Sequence, residues 1–136
     1  MAALLDRYLL GLDDDKLDDD WVRSLFTADA TVEFPMSRHS GLAGMAGWHR
    51  DALAAFRSTQ HLGSPAVVTL AGDRATLRAN LQSTHVHRPE NEPTCGNLFA
   101  TGTFVTGEAR RETGAGWRLS RLSFRVLWMS GSPPPR

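Results

Sequence analysis

Lysine is almost missing from this chain: Lys16 is the only one, and arginine supplies the rest of the 15 basic residues. The 15 acidic residues balance them, leaving a formal net charge of zero. Nucleic-acid-binding and membrane-surface proteins depend on a strong positive field, so both classes are excluded. Cysteine is as scarce. Cys95 stands alone, which excludes an intramolecular disulfide. It lies in a loop between Thr94 and Gly96 with no patterned base beside it, and this argues against a nucleophilic thiol. There is no Gly-x-Ser-x-Gly elbow and no phosphate-binding glycine loop. No apolar stretch approaches the roughly 20 residues that cross a bilayer. The N-terminus lacks a basic region followed by an apolar run and a small-residue cleavage site. The expectation is a soluble, cytoplasmic protein.

What is present suits one globular domain. A chain of 136 residues can bury a core without a metal or disulfide, and 41% hydrophobic with 22% charged residues is ordinary for that class. Leu4, Leu5, Tyr8, Leu9 and Leu12 recur at helical spacing, which predicts a first helix over 2–12 ending near Gly11. Asp18 to Asp20 are N-cap candidates for a second helix, Trp21 to Phe26. Thr31 to Phe34 reads as a short strand stopped by Pro35, and Ser37 to Gly41 as loop. A third helix is predicted from about Leu42 to Arg57. Strands follow over 66–70, 75–87, 98–111 and 117–129, the first two joined by the turn Ala71-Gly72-Asp73-Arg74. The last strand places Leu122, Phe124, Val126 and Trp128 on one face, with Arg121, Ser123 and Arg125 on the other. The pattern does not say which face points inward. Helices preceding a mostly antiparallel sheet make an α+β domain over 1–130, followed by a disordered Pro-rich tail over 131–136.

Tyr8 to Asp13, Trp21, Leu25-Phe26-Thr27-Ala28-Asp29-Ala30, Gly41, Thr59-Gln60-His61, Gly72-Asp73-Arg74-Ala75 and Gly116-Trp117-Arg118-Leu119 together resemble SnoaL-like proteins. These belong to the nuclear-transport-factor-2-like superfamily, as do scytalone dehydratase, bile-acid dehydratase and ketosteroid isomerase. The resemblance implies a cone: a curved, mostly antiparallel sheet packed against three N-terminal helices and enclosing a pocket. It also implies a small apolar organic ligand, no cofactor or metal, and a homodimer through the outer sheet face. One fold hosts many chemistries, so the reaction must be argued from residues.

The resemblance implies a catalytic set of Tyr8 as polariser of a substrate oxygen, Asp13 as partner or base, and His61 as general acid/base. The chemistry is coherent, since histidine both takes and gives protons near neutrality. Expelling a hydroxyl beside a carbonyl needs a base and a donor aimed at the developing oxyanion. The alternatives are structural: Tyr8 as a core residue, Asp13 as a helix-end residue, His61 as a strand-end hydrogen bonder. His85 and His87 share one strand face, so His85 is either a second pocket histidine or half of a two-histidine metal site. His87 is expected to be exposed, and His39 and His49 to lie on the surface. Trp48 and Leu81 are expected to contact the substrate. Arg121 and Arg125 either do the same or pair across strands with Glu108 or Glu112. The reading is a cofactor-independent lyase or isomerase of the dehydratase or cyclase kind, acting on a hydroxy-carbonyl metabolite such as a polyketide. Its rival is a non-catalytic ligand-binding or dimerisation module.

Overall fold

Leu4, Leu5, Tyr8, Leu9 and Leu12 form one buried stripe on helix α1 (Ala2–Asp13) in the computed structural model, which describes residues 2–14, 17–91 and 96–134. Gly11 falls near the end of this helix, as expected. A Cβ at Gly11 would lie 2.0 Å from Trp21 Nε1, so the missing side chain lets the indole pack against the helix. Helix α2 (Asp19–Leu25) starts on Asp18, whose carboxylate accepts from the Trp21 amide at 2.8 Å. Helix α3 (Met45–Leu53) is shorter than its pattern suggests at both ends. Gly44 holds φ +77 before it, and the chain is already extended by Phe56.

Seven strands form one sheet, two more than the five the sequence pattern shows. They are β1 (Phe26–Glu33), β2 (Arg38–Ser40), β3 (Phe56–Gly63), β4 (Val67–Ala71), β5 (Arg74–His87), β6 (Leu98–Glu112) and β7 (Gly116–Gly131). The spatial order is β2-β1-β7-β6-β5-β3, with β4 continuing the path of β3 along β5. All neighbours are antiparallel except β1 and β7. The expected loop over 37–41 is thus mostly β2, paired Thr31 to Ser40 and Glu33 to Arg38. Three residues are too few to show a period. Strand β7 reaches Gly131, and the Ser132 carbonyl accepts from the His87 ring; residues 135 and 136 of the expected tail, like Cys95, lie outside the described residues.

Irregular register curves the sheet. Opposite adjacent Gly102 and Thr103 stand Trp128 and Val126, so Leu127 is an extra residue. This bulge turns Trp128 away from Leu122, Phe124 and Val126, correcting the expected common face. Trp128 lies instead on the outer face over Gly102, where a Cβ would meet its indole nitrogen at 1.9 Å. On β5, every second residue from Ala75 to His87 is buried on the inner face of the sheet. That inner row is apolar from Ala75 to Leu81 and polar from Ser83 to His87. No helix of the described residues is long and apolar enough to cross a membrane.

The helix side of the core is aromatic and holds a buried polar pair. His49 is fully buried, contrary to the surface position expected of it, because it shares the inward face of α3 with Met45 and Ala46. Its Nδ1–H donates to the Met45 carbonyl at 2.8 Å, which leaves Nε2 to accept from the Tyr8 hydroxyl at 2.9 Å. Tyr8, Trp21, Phe26, Phe34 and Trp48 surround the imidazole with ring centroids 5.0–6.4 Å away. Burial pushes the His49 pKa down to about 4 and the Tyr8 phenol above its usual range.

Two measurements check this packing. Gly11→Ala ought to stabilise a helix by propensity alone, by about 1 kcal/mol. Here it drives a methyl into Trp21, so a net loss of about 1–3 kcal/mol in urea unfolding is expected. A gain would show that the indole moves aside freely. The His49 value of about 4 lies below the roughly 6.5 of an unfolded imidazole, so the unfolded chain takes up the extra proton between them. Stability is therefore complete above pH 6.5 and falls below it, by on the order of 2 kcal/mol from pH 6.5 to 5. Thermal melts over that window should show the slope, and His49→Gln should flatten it. An unchanged slope in the variant would refute the assignment.

Candidate active site

Asp13 ends α1 and meets β3 across the polar part of the inner sheet face. Its Oδ1 accepts from Thr59 Oγ1 at 2.8 Å and from His61 Nδ1 at 2.7 Å, while Oδ2 accepts from the His61 amide at 2.9 Å. A carboxylate only accepts, so Nδ1 carries the imidazole proton and Nε2 is left bare. The pair is sheltered without being sealed: side-chain exposure is 7% for His61 and 18% for Asp13. Thr59 and His61 alternate onto one face of β3, so an extended backbone delivers both groups to one carboxylate.

His85 adds a second imidazole. Its ring centre lies 5.9 Å from that of His61, nearly perpendicular at 89°. Its Nδ1–H donates to the Phe99 carbonyl at 2.8 Å, so its Nε2 is bare as well. Burial moves its pKa below the ordinary histidine value, and this keeps the ring neutral at neutral pH. His87 is buried, contrary to the exposure expected of it. Its Nε2–H reaches the Ser132 carbonyl at 2.7 Å and its Nδ1 has no partner. Strand β7 outlasts the predicted one and covers it. Among the described residues no group of three or more metal-ligating side chains comes together.

The structure splits the expected set. Asp13, His61 and His85 converge, whereas Tyr8 is committed to His49, with its ring against Trp21, Phe26 and Phe124. Leu81 is buried on the inner face two residues before Ser83. Trp48 is half-buried and stacks on Phe34 at 4.4 Å. Arg121 and Arg125 project from the opposite, outer face, away from His61. Arg121 stands 3.5 Å from Glu33, and Arg125 lies 5.8 Å over the Phe104 ring. In the β6–β7 register Arg121 stands directly opposite Glu108, as the cross-strand alternative expects, whereas Arg125 stands opposite Phe104. Two open grooves, of about 330 and 440 Å³, also lie on the outer face, and neither touches Asp13, His61 or His85. Thr59 and His49 were not among the expected site and core groups. The Thr59-x-His61 spacing is the local signal for the first, while the second depends on a partner 41 residues away.

Chemically, the Asp13–His61 pair has the arrangement a general base needs, an imidazole whose proton position and orientation are fixed by a carboxylate. Proton uptake at Nε2 would make an imidazolium beside a carboxylate, which stabilises it. Once charged, the same Nε2–H can donate.

Comparison with known proteins agrees with this fold. The profile of the SnoaL-like domain matches residues 1–123. Among proteins of curated function, none matches the chain. The protein Kfla4162 of Kribbella flavida has a similar structure, with TM-score 0.85 and 26% identity over 94% of this chain and 88% of that one. A type 2 hexachlorocyclohexane dehydrochlorinase, LinA, superposes with TM-score 0.78 and 17% identity, covering 98% and 84%. A scytalone-dehydratase-like protein of Novosphingobium aromaticivorans gives 0.76 and 16%, covering 94% and 82%. The match over residues 1–123 makes the chain a member of the SnoaL-like family, and its three helices and curved sheet have the fold of nuclear-transport-factor-2-like proteins.

Proposed function

We propose that this protein is a cofactor-independent lyase or isomerase of the dehydratase or cyclase kind, acting on a small hydroxy-carbonyl compound of secondary metabolism. The observation that carries the reading is the 2.7 Å bond from His61 Nδ1–H to Asp13, which leaves Nε2 bare beside a second imidazole. Relatives of the same fold include a dehydrochlorinase and a dehydratase-like protein, and both names denote eliminations.

In the elimination, His61 Nε2 takes a proton from the carbon next to the substrate carbonyl. The released electron pair forms an enolate, and Asp13 steadies the imidazolium. The enolate then expels the β-hydroxyl, which leaves as water with the proton from His61 Nε2–H. The imidazole ends neutral, and the substrate has lost one water. His85 stands where it can accept a hydrogen bond from a substrate hydroxyl. Leu81 offers apolar contact on the same face. Tyr8 supports the site from the core, because its phenolic proton is given to His49 and the polariser role expected of it has no free donor.

A second copy of the chain would cover the outer sheet face, where Leu62, Leu127 and Trp128 are exposed along one groove. The rival reading, a ligand-binding module without chemistry, draws support from the aromatic side chains that fill the helix side of the cone.

Untargeted mass spectrometry decides between them. Wild-type protein incubated with metabolites of its source organism should convert a component with loss of water or at constant mass. His61→Ala should do so roughly 10²–10⁴-fold more slowly while melting cooperatively. Full activity in His61→Ala would sink the assignment. A compound that co-purifies unchanged with both proteins would establish the binding module instead.

A further inference from the structure

The register of the sheet places more than histidines beside Asp13. His61 on β3 pairs with Ser83 on β5, and Ser83 pairs with Thr101 on β6, so the three occupy one row across the inner face. The flanking rows hold Thr59 with His85 on one side, and Leu81 with Thr103 on the other. Neighbouring strands lie about 4.8 Å apart, so the two hydroxyls continue outward from His61 in steps of that size.

Ser83 and Thr101 are 4% and 8% exposed, and neither side chain has a protein hydrogen-bond partner among the described residues. Among the described residues, the sealed, unpartnered side-chain polar atoms are Trp21 Nε1, His87 Nδ1 and Arg110 Nε. Neither hydroxyl is among them, and neither is Nε2 of His61 or His85. Each therefore keeps access to a molecule entering from outside. Burying a hydroxyl without a partner costs on the order of 1–3 kcal/mol in a core, which is a reason for a non-functional row to be apolar. Further along, the same β5 face is apolar: Ala75, Leu77, Ala79 and Leu81.

We propose that Ser83 and Thr101 form a hydrogen-bonding subsite next to His61, which selects a neutral ligand carrying a second hydroxyl or carbonyl oxygen away from the reacting carbon. This rests on the reading of His61 as the acid–base group. The ligand is neutral because the inner positions of these rows on β3, β5, β6 and β7 hold no lysine or arginine, while Asp13 already supplies a negative charge. A carboxylate or phosphate would find no counter-charge there. A purely hydrocarbon or halogenated ligand would leave both hydroxyls unpaired.

Two probes that differ by one oxygen test this: 1-tetralone and 6-hydroxy-1-tetralone, whose oxygens lie at opposite ends of the ring system. Dissociation constants are measured by calorimetry, and occupancy is located by the His61 imidazole resonances. The hydroxylated probe should bind wild type about 3- to 10-fold more tightly, the range of one net hydrogen bond. Ser83→Ala and the near-isosteric Thr101→Val should remove that advantage while leaving 1-tetralone affinity within about 2-fold. Melting curves establish that each variant is folded, and either one suffices for the comparison. If both probes shift His61 but bind equally, or the advantage survives both substitutions, the subsite is overturned and the acid–base site stands. If neither probe shifts His61 at millimolar concentration, ligand access fails, and the subsite and the acid–base reading fall together.

Discussion

The Asp13 carboxylate is in the wrong place for helix stability. It ends α1, where the aligned peptide dipoles leave a partial negative charge that disfavours an anion by roughly 0.3–1 kcal/mol. What holds it there is β3: the Thr59 hydroxyl, the His61 amide and the His61 ring all donate to it. Charge-assisted bonds of this kind are stronger than neutral ones, and three together outweigh the unfavourable dipole. The contact ties the first helix to a strand more than 40 residues later. It also settles which imidazole nitrogen of His61 is engaged and which is left without a partner.

The rest of the architecture serves that junction. Strand β5 runs the length of the sheet with one face inward, and its inner row changes character midway. Its apolar half, with the leucines of α1, carries the burial that keeps the chain folded. Its polar half presents Ser83 and His85 beside His61. Desolvation pushes the pKa of both His49 and His85 down, yet the two rings are bonded differently. His49 uses both nitrogens within the protein, fixing Tyr8 and α3, whereas His85 keeps one nitrogen free.

Much of this was readable in the chain, and the failures share a cause. The leucine stripe of α1, the Asp18 cap, the 71–74 turn and the alternation of β5 are local patterns, and each appears close to where the spacing put it. Asp13 and His61 came from family resemblance together with the chemistry their residue types allow. His49 and His87 were misplaced because polarity suggested surface. Their burial is made affordable by Tyr8 and by the Ser132 carbonyl, 41 and 45 residues away. Trp128 was assigned to the wrong face because one inserted residue, Leu127, reverses an alternation that sequence alone shows as unbroken. For Arg121 and Arg125 the alternation was right, but only the packed helices decide which face is inside.

The most direct measurement is the tautomer of His61 by ¹⁵N NMR, taken at a pH where the ring is neutral. The account predicts a protonated Nδ1 and a bare Nε2 in the wild type, with the preference weakened in Asp13→Asn, whose amide no longer attracts that proton as strongly. A wild-type ring protonated at Nε2, with the same spectrum in Asp13→Asn, would mean that the carboxylate does not orient the imidazole. The general base at the centre of the proposed chemistry would then not exist in the form described.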